Sequence, residues 1–178
     1  MIWLSNSTIA RLRDQLRTRG QRPSIALPGG ANVSPEAAEL MGVATEYGPI
    51  CEAMYLMMSA DGKITNDERE VLKGALRNLS GDTIRGVHIE ALLERAAKAA
   101  ETEGRDVRLQ HVVEMLHEDP ARAEVAFVLA AAIAFADNAI ADEENETLNS
   151  LAEGLGIDED RASELLDSVE ADLAERPA

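Results

Sequence analysis

Apolar residues along this chain recur every three or four positions, which is the spacing of amphipathic helices. Runs of β-branched and aromatic residues, which strands need, are nearly absent. Proline follows a capping residue at Ser34-Pro35, as at a helix start, and Gly48-Pro49 predicts a break between two helices. The pattern therefore predicts an all-α fold, a compact bundle of about eight helices over residues 34–46, 49–60, 65–79, 83–103, 106–117, 120–136, 142–154 and 159–174.

The longest apolar stretch runs from Val125 to Ala136 and is rich in alanine. It is shorter than the roughly 20 residues that a membrane-spanning helix needs. We therefore expect it to be the most buried helix of the bundle, because small side chains let neighbouring helices approach closely. At the N-terminus, MIWL passes directly into polar residues without the apolar core of a signal peptide, which predicts a cytoplasmic protein.

The first 22 residues differ from the rest of the chain, because they carry five arginines against one aspartate. Ile9, Leu12 and Leu16 follow helical spacing there, and the proline- and glycine-rich segment that follows is typical of a linker. The chain therefore divides into a basic amphipathic arm with its linker, residues 1–33, and a helical domain, residues 34–178.

Such an arm can lie weakly on an anionic membrane, here at the inner face, or dock on an acidic protein face such as the domain's own. An exposed tail is the alternative. The arm's short apolar stripe limits any membrane affinity. The residues expected to make the membrane or partner contact are Trp3, Arg11, Arg13 and Arg17.

The composition adds a strong charge imbalance, with 17 lysines and arginines against 33 aspartates and glutamates and a net charge of −16. A surface this acidic repels phosphate backbones, so we expect no nucleic-acid partner. It suits cations or basic partners, although a solvated acidic face that only aids solubility explains the same charge. The single cysteine, Cys51, excludes intramolecular disulfides and zinc sites built from several thiolates.

The domain contains an internal repeat at an offset of 76 residues. Residues 53–72, AMYLMMSADGKITNDEREVL, align with residues 129–148, LAAAIAFADNAIADEENETL. Each copy reads as an apolar helix, a tight Asp-Gly or Asp-Asn turn and an acidic helix start. Two helix hairpins related in this way are expected to pack as a pseudo-symmetric pair, with Ile64 and Ile140 inserted into the core.

Each copy places an aspartate at the turn and a glutamate at the start of the returning helix. The pairs are Asp61 with Glu68 and Asp137 with Glu144. Each hairpin is expected to bring its two carboxylates together, and several carboxylates without histidine or cysteine suit a hard cation such as Ca²⁺ or Mg²⁺. Additional metal ligands in reach of this motif are Asp67, Asp142 and Glu143.

The alternative is that capping and turn chemistry explain the motif without a metal. Thr65 and Glu68 form a capping-box pattern, and Asp-Gly is an ordinary turn pair. In the second copy Ala141 stands at the position of Thr65 while Glu144 is retained, which predicts that capping does not explain both glutamates. The motif is not an EF-hand, because Leu72 stands at the twelfth position, where that loop has its bidentate glutamate.

In MMSADGKITNDEREVL, in FADNAIADEENETLNSLAEGLGID and in the helical pattern between them, the chain resembles the TerB family of tellurite-resistance domains. The resemblance covers roughly residues 36–175. It implies an all-α bundle with acidic divalent-cation sites and a role in tellurite or other chemical-stress response, often near membrane partners. Asn138 departs from the family's second glycine, although asparagine tolerates the same backbone conformation.

We therefore expect a non-enzymatic TerB-like protein, with no catalytic residues, that binds divalent cations through its two acidic hairpin turns. It would act as a scaffold or sensor within a stress-response complex. The alternative is a metal-free interaction domain whose acidic surface docks a basic partner or a co-chaperone system.

Overall fold

The structure, a computed structural model, describes residues 4–17, 34–136 and 140–175. Over these ranges the chain forms helices joined by turns and contains no strand, which confirms the all-α prediction. The helices are α1 (Asn6–Arg17), α2 (Pro35–Met58), α3 (Asn66–Leu79), α4 (Gly86–Glu103), α5 (Arg105–Leu116), α6 (Pro120–Ala134), α7 (Asp142–Leu155) and α8 (Glu159–Ala174).

Helix α6 lies at the centre of the fold. Asp119 caps its start by accepting a hydrogen bond from the backbone N–H of Arg122 (3.3 Å), and Pro120 takes the first helical position. Every residue from 125 to 134 is buried, and the alanines among them keep the helix thin enough for close packing. Because α6 contacts α1, α2, α3, α5, α7 and α8, the prediction that this stretch is the most buried helix is confirmed.

The predicted helix break at Gly48-Pro49 is wrong, because α2 continues through both residues. Proline has no N–H, so the carbonyl of Thr45 loses its usual helical donor. Arg122 of α6 replaces that donor: its Nη2 donates to the carbonyl oxygens of Thr45 (3.1 Å) and Glu46 (2.6 Å). The local Gly-Pro signal misleads here because the group that sustains the helix comes from a distant part of the sequence.

The two predicted hairpins correspond to α2–α3 and α6–α7, and α2 packs along α6. Helix α5 runs antiparallel to α2, since Arg105 donates to the Leu56 carbonyl (2.7 Å) and Arg108 binds Glu52 (2.6 Å). Helix α5 also packs on α7. As a result, the turn of the first hairpin, the start of α5 and the first half of α7 meet at one end of the bundle.

Helix α1 packs against α3 and α6, and its side chains Ile9 and Leu12 are buried in the common core together with Leu4, which precedes the helix. The sequence pattern sets this helix apart from the domain, whereas in the structure its apolar stripe is covered by the domain itself. Burial of this kind depends on tertiary packing, which the spacing of the stripe alone does not reveal. Trp3 and the linker before Ser34 lie outside the described residues.

Candidate cation site at the hairpin turns

The first hairpin turn is shaped by its own carboxylates. Asp61 is exposed, and its Oδ1 accepts a hydrogen bond from the backbone N–H of Lys63 (2.8 Å) across Gly62, whose φ is +77°. Glu68 is only 4% exposed, and its Oε2 accepts from both the backbone N–H and the hydroxyl of Thr65 (2.7 Å each). The Thr65 hydroxyl in turn accepts from the N–H of Glu68 (3.2 Å), which completes a capping box.

The second hairpin uses the same glutamate without the hydroxyl. Glu144 is 8% exposed, and its Oε2 accepts from the backbone N–H of Ala141 (2.7 Å). The prediction that capping does not explain both glutamates is therefore wrong. This half of the box needs only a backbone N–H at the N-cap, which every residue except proline supplies. Asp137, the turn aspartate of this copy, lies outside the described residues.

A third helix start uses an equivalent device that the sequence pattern alone did not identify. In α4, His88 occupies the position of Glu68, and its Nδ1 lies 3.3 Å from the backbone nitrogen of Arg85 as an acceptor. The side chain of His88 is buried, and it accepts this hydrogen bond at the helix start. The sequence signal for this contact is the position of His88, because the acceptor of a capping box stands three residues after the N-cap.

The two inserted isoleucines behave differently from each other. Ile140 packs against the core, as expected. Ile64 is 37% exposed, so the expectation that it plugs the first loop into the core is wrong. With Asp61 accepting from the backbone N–H of Lys63 and Thr65 engaged in the capping box, the first turn is held by polar contacts instead of an apolar anchor.

Carboxylates from separate elements line a cleft of about 180 Å³ at the end of the bundle where the first turn and α7 meet. Its lining includes Ala60 of the first hairpin, Asp106 at the start of α5, and Glu143 and Glu146 of α7. Arg105 also lines the cleft, and its guanidinium donates to the Leu56 carbonyl. Of these carboxylates, only Glu143 was named from the sequence. Asp106 and Glu146 were missed because their role depends on how α5 and α7 pack.

The other predicted ligands, Asp67 and Asp142, are exposed in the first turns of α3 and α7. The helix dipole stabilises negative side chains at these positions. Within the described residues, no three histidine, cysteine, aspartate or glutamate side chains lie close enough together to hold a metal ion.

The arginines assigned to the arm face neighbouring helices or solvent. Arg11 donates to the hydroxyl of Ser168 on α8 (3.2 Å), and Arg13 donates through Nε to the carbonyl of Asn78 at the end of α3 (3.1 Å). Arg17 is exposed in the last turn of α1. Considering only the described stretches, none of the helices is both long and apolar enough to cross a membrane.

The protein is thus an all-α bundle protein with two repeated helix hairpins, and both turn sequences are acidic. Residues 50–167 match the family model described as Tellurite resistance protein TerB. The match spans more than half of the chain and includes both hairpin turns, so the chain belongs to the TerB family. Comparisons with curated proteins and with solved structures gave no match. Helix α1, residues 35–49 of α2 and the end of α8 lie outside the matched range.

Proposed function

We propose that this protein of the tellurite-resistance TerB family is a non-enzymatic scaffold or sensor in chemical-stress response. It binds a divalent cation, Ca²⁺ or Mg²⁺, at the end of the bundle where its hairpin turns lie. The observation that carries the proposal is the cleft beside Ala60, which Asp106, Glu143 and Glu146 line from helices far apart in sequence. Because these three side chains alone do not lie close enough together to hold a metal ion, the proposed ligands include the turn aspartates as well. Oxygen ligands of this kind are the preference of both cations.

The buried and exposed carboxylates have different parts in this proposal. Glu68 and Glu144 are engaged with backbone N–H groups, so they hold the two turns in shape. The exposed Asp61, with Asp137 of the second turn and the carboxylates of the cleft, supplies ligand oxygens. The cation then relieves repulsion among like charges that converge at one end of an acidic chain.

A second candidate is a metal-free domain whose acidic surface docks a basic protein partner. The specific observation in its favour is that hydrogen bonds within each turn account for Asp61, Glu68 and Glu144 without a cation. The two candidates differ in what they predict for the isolated protein, because only the first expects its stability to respond to divalent ions.

Thermal unfolding with Ca²⁺, Mg²⁺ or EDTA separates the two candidates. A cation at about 100 times its Kd stabilises the native state by about 2.7 kcal/mol, which for a chain of this size raises Tm by roughly 5–10 °C. The double variant Asp61→Asn/Asp137→Asn should lose that rise. Asp82→Asn/Asp167→Asn removes the same charge from exposed positions elsewhere and should keep it. Equal Tm values in Ca²⁺, Mg²⁺ and EDTA for the unmodified protein would contradict the cation site.

A further inference from the structure

A groove of about 670 Å³ lies between helices of the bundle and shares no lining residue with the cleft at the hairpin turns. One wall is a face of the first half of α2, and the other is the face of α4 that carries Leu92, Ala96 and Ala99. Helices α5 and α6 contribute the remaining lining. Its volume lies in the range of small-molecule sites. The α2 wall before residue 50 is outside the range matched to the TerB family.

Part of the groove's lining is apolar. Small side chains such as Ala44 and Ala99 leave the space between the helices, and Met41 and Met115 line its edges. These two methionines are 48% and 47% exposed, among the largest exposures of big apolar side chains in the described chain. Methionine is flexible and polarizable, which suits it to contact apolar ligands of varied shape.

The charge of the groove is opposite to that of the chain. Three arginines and one glutamate line it, whereas the whole chain has a net charge of −16. Arg108 is held by Glu52 through two hydrogen bonds of 2.6 and 2.9 Å, and Arg122 donates to carbonyls of α2. Arg95 is exposed and forms no ion pair with any residue that the structure describes. Its guanidinium is therefore available to a ligand.

We propose that this groove binds a singly charged anionic amphiphile, a carboxylate joined to an apolar chain of medium length. The carboxylate pairs with Arg95, and the chain lies between α2 and α4 against Leu92, Ala99 and the two methionines. A single negative charge is favoured over a polyanion or a strongly acidic protein, because the net charge of −16 repels a multiply charged partner. This site is independent of the proposed cation site.

Methyl NMR of the full chain tests the groove directly. With the methionine methyl groups labelled with ¹³C, the signals of Met41 and Met115 are assigned from Met41→Leu and Met115→Leu. Sodium decanoate is then titrated below its micelle concentration, in EDTA. We expect saturable shifts of these two methyls and little change at the buried Met54 and Met57. Affinity should rise about two- to fourfold per methylene from hexanoate to decanoate, because each added group is partly buried.

Variants and a charge-reversed ligand complete the test. Arg95→Gln should weaken decanoate binding about three- to tenfold, while Arg77→Gln, on the exposed side of α3, should not. Ala99→Leu fills the groove and should abolish the shifts. Asp61→Asn/Asp137→Asn should leave them unchanged, which separates this site from the cation site. Equal affinity for decanoate and decyltrimethylammonium, or shifts no larger at Met41 and Met115 than at Met54, would overturn the proposal.

Discussion

The two hairpins have the same spacing but hold their turns by different contacts. In the first, Thr65 and Glu68 form a complete capping box, whereas in the second Glu144 alone accepts from the backbone of Ala141. Ile64 is exposed in the first loop, while Ile140 packs on the core in the second. The glutamate is thus the element that both turns need, and the threonine is an addition in one of them.

The first helices of the hairpins differ in a related way. At the offset of 76 residues, Gly48 and Pro49 of α2 align with Glu124 and Val125 of α6. The proline makes α2 depend on a side chain of α6. Glu124 instead binds Arg161 of α8 (2.8 Å) and Gln15 of α1 (3.0 Å). Through Glu124, the second hairpin therefore forms polar contacts with α1 and α8. At the aligned position of the first hairpin, Gly48 has no side chain and lines the groove.

The largest expected effect comes from removing the support that α6 gives to α2. Arg122 is buried, and Arg122→Leu removes the donor that the Thr45 and Glu46 carbonyls share, which should cost about 3 kcal/mol of unfolding free energy. Urea denaturation measures the loss. Pro49→Val, which copies the residue at the aligned position of α6, restores a backbone N–H for Thr45.

The double variant decides whether the contact acts as described. Arg122→Leu with Pro49→Val should be more stable than the sum of the two single changes by about 1 kcal/mol or more. Arg77→Leu, at an exposed position, should change stability by less than about 0.5 kcal/mol. Additive effects in the double variant would mean that Arg122 does not act by replacing the missing donor at Pro49.

A smaller effect is expected at the two capping glutamates, measured in EDTA so that no cation contributes. Glu68→Ala should lower the unfolding free energy by about 2 kcal/mol and Glu144→Ala by about 1 kcal/mol, since Glu68 satisfies an additional hydroxyl. Glutamine at either position keeps an acceptor and should cost less than alanine. Losses that appear only in Ca²⁺ would instead assign the glutamates to a metal.

The smallest effect concerns pH and the contacts that Glu124 makes. Hydrogen bonds from Arg161 hold the pKa of Glu124 below its ordinary value, against the effect of desolvation. A carboxyl with a lowered folded-state pKa stabilises the fold above its unfolded pKa of about 4.3, and this stability is lost as pH falls through the folded pKa. Between about pH 6 and 3, the unmodified protein should lose up to ~1 kcal/mol more stability than Glu124→Gln. Parallel curves would indicate that this ion pair contributes nothing.

Local patterns in the sequence predict most of this fold. Helical spacing and the alanine-rich run identify α6, and the 76-residue offset identifies the two hairpins. The helix break predicted at Pro49 fails, and the burial of α1 is left open, for one physical reason, which is a partner distant in sequence. Arg122 keeps α2 continuous through Pro49, and the core of α3 and α6 covers the apolar face of α1. Neither contact leaves a signal in the residues around Pro49 or in the spacing of α1.

The candidate site was predicted in outline. The turn carboxylates Asp61, Glu68 and Glu144 were named from their spacing, but the division between caps and exposed side chains required the geometry of each helix start. Asp106 and Glu146 reach the cleft only because α5 packs between α2 and α7. Such convergence cannot be inferred from spacing within one hairpin.

Calcium titration by isothermal calorimetry, on protein first stripped with EDTA, tests the central claim most directly. The account predicts a saturable binding heat for the unmodified protein and for Asp82→Asn/Asp167→Asn, and its loss in Asp61→Asn/Asp137→Asn. Mg²⁺ added to the calorimeter cell should compete with Ca²⁺ if the site binds hard cations generally. The absence of saturable heat in the unmodified protein, or equal heats in the two double variants, would contradict a cation site at the hairpin turns.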